Sequence, residues 1–302
     1  MQKVIITSTI NAPTEAIRLF DAMPDWHLIV IGDKKTPEYS LGRGQYVTPK
    51  EQESYDKNLS KAIGWNKFQR LNIGLLMAYD LGAEVVALIN DDNTPYDDWG
   101  KNLMVGRQVI SRFFETDESA FDPVCVTRHN FKLWHRGFPL ELLPGRQYLG
   151  SRKNHTAEIQ ADFWNGDPDV DAICRLEHKP VCEFDSDDFP IASNAWSPFN
   201  CQNTFLSRDV IKDYFLYPGI GRQDDIWASY YAQAKGHRVI YGKASVYHDR
   251  GPRDLIQDMK NEYLGYEQNL NLINHLKISP NNIKKYVTVE ANKTFELYRR
   301  HF

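Results

Sequence analysis

The sequence predicts an α/β fold: a mixed, mostly parallel sheet flanked by helices and followed by a helical C-terminal tail. Three observations predict it. Through residues 3–95, short runs rich in Val and Ile alternate with stretches of helical periodicity, the pattern of a parallel sheet with crossover helices. Gly, Pro and Asn stand between these runs, where a chain must turn. The chain has 302 residues and is 42% apolar, enough for a sizeable core in one large domain or two modest ones.

The elements follow in order. Lys3 to Thr9 is β-branched and reads as a strand, broken by Asn11-Ala12-Pro13. Thr14 to Met23 has helical spacing. His27 to Ile31 is a second apolar strand, stopped by Gly32-Asp33, and Lys34 to Thr48 is polar and reads as a loop. Thr48-Pro49-Lys50-Glu51 has the form of a capping box with Pro at the first helical position, so a helix is expected to about Ser60. Asn66 to Leu81 reads as an amphipathic helix ended by Gly82. Residues 84–93, EVVALINDDN, form an apolar run that reads as a buried strand ending in Asn90, Asp91, Asp92 and Asn93. This βαβ series implies right-handed crossovers. Residues 121–160 mix short strands with turns, as in an inserted or substrate-facing region. Gln202 to Leu206 is a further strand, and Ser207 caps a short helix to about Phe215. Asp224 to Lys235 is a helix closed by Gly236, and His237 to Tyr247 alternates like a strand. From Pro252 onward the chain is helical and polar, broken at Ser279-Pro280.

Composition excludes several classes. A net charge of −4 makes no electrostatic case for nucleic acid or for a polybasic membrane anchor. No apolar run approaches the ~20 residues that span a bilayer, so no transmembrane segment is expected. Cys125, Cys174, Cys182 and Cys201 lack C-x-x-C spacing and read as reduced thiols of a cytoplasmic protein. The N-terminus carries no signal-peptide pattern. Seven Trp and 16 Tyr supply core rings and, potentially, the walls of a sugar cleft.

Asp91 and Asp92 are two adjacent carboxylates at a strand's C-terminal end, where open α/β sheets bind ligands. Their repulsion is relieved by a cation, and oxygen ligands on a short turn suit Mg²⁺ or Mn²⁺ with the phosphates they carry; a polar turn is the plain alternative. Thr7, Thr9 and Asn11 end the first strand, and Asp33, Lys34 and Lys35 the second, on the same side of the sheet. They suit a nucleoside and its phosphates, or ordinary turn chemistry. Arg70 and Lys67 lie one helical turn apart; either reaches a phosphate or lines a solvated helix face. In WNGDPDVD, Asn165, Asp167, Asp169 and Asp171 make an acidic turn for a cation or sugar hydroxyls, or else an Asx-turn and helix cap. Asp224 and Asp225 open a helix after a glycine-rich loop, where a carboxylate serves as a general base or simply as a cap. His248, in YHDR, is a candidate third metal ligand or a structural His.

Three stretches carry a resemblance: VIGDKKTP (Val30–Pro37), NDDN (Asn90–Asn93) and WNGDPDVDAICRL (Trp164–Leu176), with QNT (Gln202–Thr204) and DIW (Asp225–Trp227) in support. Together they resemble glycosyltransferases of the Rossmann-like GT-A fold, in particular the STELLO proteins and, more distantly, the reversibly glycosylated polypeptides that act as UDP-arabinopyranose mutases. The likeness spans most of residues 3–250. It implies a GT-A domain over 1–250, with a nucleotide-binding half to about 95, an acceptor half over 96–250, and a helical extension over 251–302.

The resemblance further implies a hexosyl- or pentosyltransferase that takes a nucleotide-sugar donor, with UDP the expected nucleotide, and a divalent cation, Mn²⁺ or Mg²⁺. The acceptor stays open among glycan, lipid-linked and protein hydroxyls. Asp92 falls at the main metal position with Asp91 beside it near ribose or phosphate, and His248 completes the site. Asn90 stands where the first acid is usual. Thr9, Asp33 and Arg70 hold nucleoside and phosphate, Asp167 and Asp169 hold sugar hydroxyls, and Asp225 falls where inverting members place their base. The arginine-bearing segment of the mutases has no counterpart here. A UDP-sugar mutase, a sugar nucleotidyltransferase and a non-catalytic nucleotide-sugar-binding module remain the alternatives.

Overall fold

The computed structural model describes residues 2–302 other than His129, Arg250 and Pro252; the last two, part of the YHDR motif and the start of the tail, lie outside the described residues. The strands are β1 (Lys3–Thr9), β2 (His27–Gly32), β3 (Gln45–Val47), β4 (Val85–Ile89), β5 (Asn93–Pro95), β6 (Gln108–Glu115), β7 (Leu149–Thr156), β8 (Ile159–Gly166), β9 (Ile191–Ser193), β10 (Asn203–Ser207) and β11 (Val239–His248). The helices are α1 (Glu15–Asp21), α2 (Pro49–Tyr55), α3 (Lys57–Ile63), α4 (Leu71–Asp80), α5 (Ala172–His178), α6 (Asp224–Ala234), α7 (Leu255–Ile278) and α8 (Val289–Arg299).

All strands join one sheet in the order β3-β2-β1-β4-β10-β8-β11-β9-β6-β7, with β5 added to β11. The first four are parallel. β10 runs antiparallel to both β4 and β8, and β8 is parallel to β11. This mixed α/β architecture is consistent with the Rossmann-like arrangement predicted above. Its consequence is geometric: β1, β2, β4, β8 and β11 all end on one edge, and β10 begins there. The chain winds outward from β1 through β2 to β3, then returns to the other side of β1 as β4. That reversal is a topological switch point, where such sheets open a crevice.

Local chemistry explains most boundaries. All five residues of β4 are buried, as the unbroken apolar run requires. Thr48 and Glu51 form the expected capping box. The helix expected to reach Ser60 divides at Asp56, which ends α2 and caps α3 by accepting from the Leu59 N–H at 2.9 Å. The expected loop over 34–48 contains β3, a three-residue edge strand parallel to β2. The helix expected from Asn66 begins at Leu71, because Asn66 sits at φ 56° and cannot propagate a right-handed helix; a 3₁₀ turn, Phe68–Arg70, leads in. α4 is not amphipathic over its first turns: Leu71 to Leu76 are all buried, and Asn72 is satisfied by the backbone of Leu216 at 2.9 Å in both directions. Ser207 makes no side-chain cap, and a 3₁₀ segment, Arg208–Asp213, follows it.

The polar tail is built into the body. Leu272, Ile273, Leu276, Phe295 and Tyr298 join the main core. Trp227 on α6 donates to Asn269 at 2.8 Å, and Tyr298 on α8 donates to the Ile211 carbonyl at 2.7 Å. No helix among the described residues is long and apolar enough to cross a membrane.

Candidate active site

The sheet's carboxyl edge carries two clefts that meet. The first, about 350 Å³, lies over the ends of β1, β2 and β4 beside the Asn66–Arg70 turn. The second, about 260 Å³, is lined by Gln69, Arg136, Gln202, Arg222, Asp224 and Asp225, among others. Phe68 and Asn90 line both.

In the first cleft, Asp33 is buried and fixed by the backbone: its carboxylate accepts from the Lys34 N–H at 2.6 Å and the Lys67 N–H at 3.2 Å. Thr36 donates to the Thr9 carbonyl at 2.5 Å, which ties the end of β1 to the turn after β2. Thr9 and Asn11 both donate to Asp91 Oδ2, at 2.5 and 3.0 Å, and Thr14 donates to the Asp91 carbonyl at 2.6 Å. Asp91 is thus anchored to the loop after β1. Thr7, expected at this site, is fully buried within the sheet, because it lies two residues short of the rim.

Asp92 points the other way. Its Oδ2 lies 3.2 Å from Nε2 of His248, which is fully buried at the end of β11. Nδ1 of that ring lies 2.8 Å from both the Asp167 carbonyl and the Gln202 side-chain amide. These neighbours ask for opposite tautomers. The carbonyl asks for a proton on Nδ1, which leaves Nε2 as a bare ligand atom; the amide asks for a proton on Nε2, which then donates to Asp92. What lies between Asp92 and His248 decides the matter. Gly166 makes this geometry possible: it sits at φ 88°, and a Cβ there would lie 2.5 Å from the His248 carbonyl.

This donor set fits a divalent cation that takes few protein ligands. Asp92 and His248 supply two, and Asn90 Oδ1 is buried with no hydrogen-bond partner among the described residues. Mg²⁺ sites that rely on substrate phosphates often use only one or two side chains. Asp91 stays apart, and among the described residues no three His, Cys, Asp or Glu side chains cluster as a complete metal cage.

Arg70 departs from expectation. Its guanidinium is buried, donates to Gln52 Oε1 at 2.6 Å, to Ser60 Oγ at 3.0 Å and to the Ser60 and Gly64 carbonyls, and stacks 3.6 Å from the Trp65 ring. Burial lowers its pKa to about 10. It braces α2, α3 and α4 rather than reaching for phosphate, and Lys67 is the exposed cation of this cleft. Lys34, expected at a phosphate, holds its Nζ 5.0 Å over the Trp65 ring and does not line this cleft.

In the second cleft, Asp225 is not poised for proton transfer. Arg136, itself buried, grips its two oxygens at 2.9 and 2.8 Å. The same guanidinium reaches Asp169 at 2.9 Å, and Asn200 donates to Asp169 at 2.7 Å. Asp169 is therefore consumed beneath the site rather than offered to a sugar. Asp167 pairs with Arg175, Asn165 bridges the Tyr96 hydroxyl and the Phe184 N–H, and Asp171 caps α5. Most of the WNGDPDVD segment holds the fold together: Asp169 and Asp171 meet donors from distant elements, Arg136 and Trp134, and Asp167 pairs with Arg175 of the helix that follows.

Asp224 differs from its neighbour. Gln69 donates to it at 2.7 Å, and burial together with the adjacent Asp225 pushes it up to about 7. A carboxyl that titrates near neutrality beside an accessible cleft is suited to general-base work. Sequence reading missed Arg136, Gln69 and Phe68. Arg136 left one signal: a cation inside the apolar stretch 133–140 has to find acids.

Fold and site together define an α/β protein with a crevice at its switch point and an acid-lined pit beside it. Comparison with known proteins agrees in direction. The chain is 24% identical over 195 residues to the probable glycosyltransferase STELLO1 of Arabidopsis thaliana, and 23% identical over 195 residues to STELLO2 of the same plant. Each match covers 60% of this chain, but only 25% and 26% of the respective relative, so the likeness spans about a quarter of those longer proteins. No family model matches the chain.

Proposed function

We propose that this chain is a glycosyltransferase that moves a sugar from a nucleotide-sugar, with UDP the expected nucleotide, to an acceptor hydroxyl. The observation that carries the reading is the meeting of the two clefts at Asn90 and Phe68: a crevice for a nucleotide opens directly onto a pit that holds an acid raised to about 7. The distant likeness to two probable glycosyltransferases supports it.

In this reading Asp33 and the Lys67 turn hold the nucleoside, and Lys67 faces the phosphates. Asp92 and His248 would hold a divalent cation, which would supply positive charge to offset that of a diphosphate leaving group. Phe68, 38% exposed where the clefts meet, offers a ring face to the transferred sugar. Asp224 takes the acceptor's proton if the anomeric centre is inverted, and Gln69 orients its carboxylate. Asp225 serves as a positioning residue, with Arg136 neutralising it so that only one of two adjacent carboxyls must carry an unpaired charge.

Thermal melts with UDP, GDP and a panel of their sugars, with and without Mn²⁺, test the reading. A UDP-sugar stabilises the protein and Mn²⁺ enlarges the effect; a panel that moves the melting temperature nowhere rejects the proposal. One feature favours a second reading, nucleotide-sugar binding without transfer: Asn90 adds no charge where an acid is usual. Binding with no release of UDP from any donor would select it.

A further inference from the structure

A third cavity, about 190 Å³, shares no lining residue with the two clefts. Its floor is formed by Gln160 and Asp162 of β8 and Ser245 of β11, all at least nine-tenths buried. Met104, Phe189 and Pro190 give it apolar walls. An apolar cavity with a few convergent polar groups is the general signature of a small-molecule site, and this one lies below the ~300 Å³ at which drug-sized ligands begin.

Asp162 is the unusual member. Its Oδ1 accepts from the Gln160 amide at 2.7 Å and its Oδ2 from the Ser245 hydroxyl at 2.8 Å, both neutral donors. The charged groups facing it stand at the mouth, Lys243 and Asp98, and they are joined to each other at 2.5 Å. Among the described residues no cation forms an ion pair with Asp162. Gly242 leaves room for this carboxylate: a Cβ there would lie 1.9 Å from Asp162 Oδ1. Burial pushes Asp162 up to about 7, opposed by the Gln160 and Ser245 hydrogen bonds. A buried acid with no counter-charge is stabilised by any cation small enough to reach it.

We propose that this cavity binds a small organic cation with an apolar body, its ammonium on Asp162 and its alkyl part against Met104, Phe189 and Pro190. A neutral alcohol of the same size leaves the carboxylate uncompensated, and an anion is repelled by it. The site is separate from the nucleotide crevice and stands whether or not sugar transfer is the chain's activity.

The test is calorimetric titration of the full chain with n-butylammonium, 1-butanol and butyrate. Butylammonium saturates in the millimolar range, 1-butanol binds ~10-fold more weakly or not at all, and butyrate does not bind. Ammonium affinity rises from about pH 6 to about pH 8 as Asp162 ionises. Asp162→Asn weakens butylammonium ~10-fold or more. Should that variant fail to fold, Met104→Trp, which keeps Asp162 and fills the cavity, abolishes binding instead. Absence of saturable binding, equal affinity for alcohol and ammonium, a flat pH dependence, or undiminished binding in either folded variant overturns the proposal.

Discussion

Two Asp-Asp pairs stand at the same edge of this molecule and meet opposite fates. Asp91 and Asp92 lie on a turn after β4, and their carboxylates diverge: one is tied to Thr9 and Asn11, the other faces His248. Asp224 and Asp225 open α6 in a buried pit. There one is clamped by Arg136 and the other is left to titrate near neutrality. Mutual repulsion is the same problem in both pairs. The rim solves it by separating the charges beside solvent, with room for a cation; the pit solves it by an internal guanidinium and a raised pKa. The difference teaches that an acid pair in sequence signals chemistry without specifying it. The partner brought by the fold specifies it.

Breaking the clamp gives the largest expected effect. Arg136→Met leaves Asp225 buried without its counter-charge and takes the nearest guanidinium from Asp169, and a loss of about 3–5 kcal/mol is expected in urea denaturation. A loss below 1 kcal/mol would mean that the pit is wetter than its burial implies.

Asp224→Asn sharpens the contrast inside the pit. Turnover should fall ~10²-fold or more with nucleotide binding retained, and the rise of activity through about pH 7 should disappear, because a base that needs to be deprotonated is gone. Asp225→Asn, by contrast, should keep the rise of activity with pH but move it to lower pH, because the neighbouring charge that helps to raise Asp224 is gone. If the two variants exchange these profiles, the assignment of base and positioning residue is reversed.

At the rim, Asp92→Asn should abolish the increment that Mn²⁺ adds to stabilisation by UDP. Asp91→Asn should retain part of it, because that carboxylate serves the loop after β1. Asp92→Asn should move the melt of the ligand-free protein by no more than the equivalent of ~0.5 kcal/mol, as for other exposed positions, whereas Asp91→Asn weakens the hydrogen bonds from Thr9 and Asn11 and should lower it further. Equal losses of the Mn²⁺ increment in both variants would return Asp91 to the metal site.

The last expected effect is a slope, the pH dependence of stability. Asp224 titrates near 7 in the folded state and near 3.9 unfolded, so between those values the folded protein holds a proton that the unfolded chain releases. Stability contributed by this group is complete below the unfolded value and is lost as pH rises through the folded one. Asp224→Asn should therefore flatten the fall in urea midpoint between about pH 5 and pH 7.5. Asp162 and Asp171, also raised to about 7 by burial, keep part of the slope.

Much of the fold was legible in the chain because it follows from local rules. The unbroken apolar run of β4, the capping box at Thr48 and the breaks at Gly82 and Ser279-Pro280 depend on neighbours a few residues away. Asn90, Asp91, Asp92 and His248 were readable as rim residues for the same reason: a strand's end is set by its own sequence, and a parallel sheet collects such ends on one edge. What the sequence did not disclose depends on residues far apart along the chain. Arg136 lies 89 positions from Asp225, and Gln69 lies 155 from Asp224. No periodicity records such pairs, yet they decide which acid is a brace and which is a base. Burial and counter-charge are properties of the assembled interior, and only the tertiary structure assigns them.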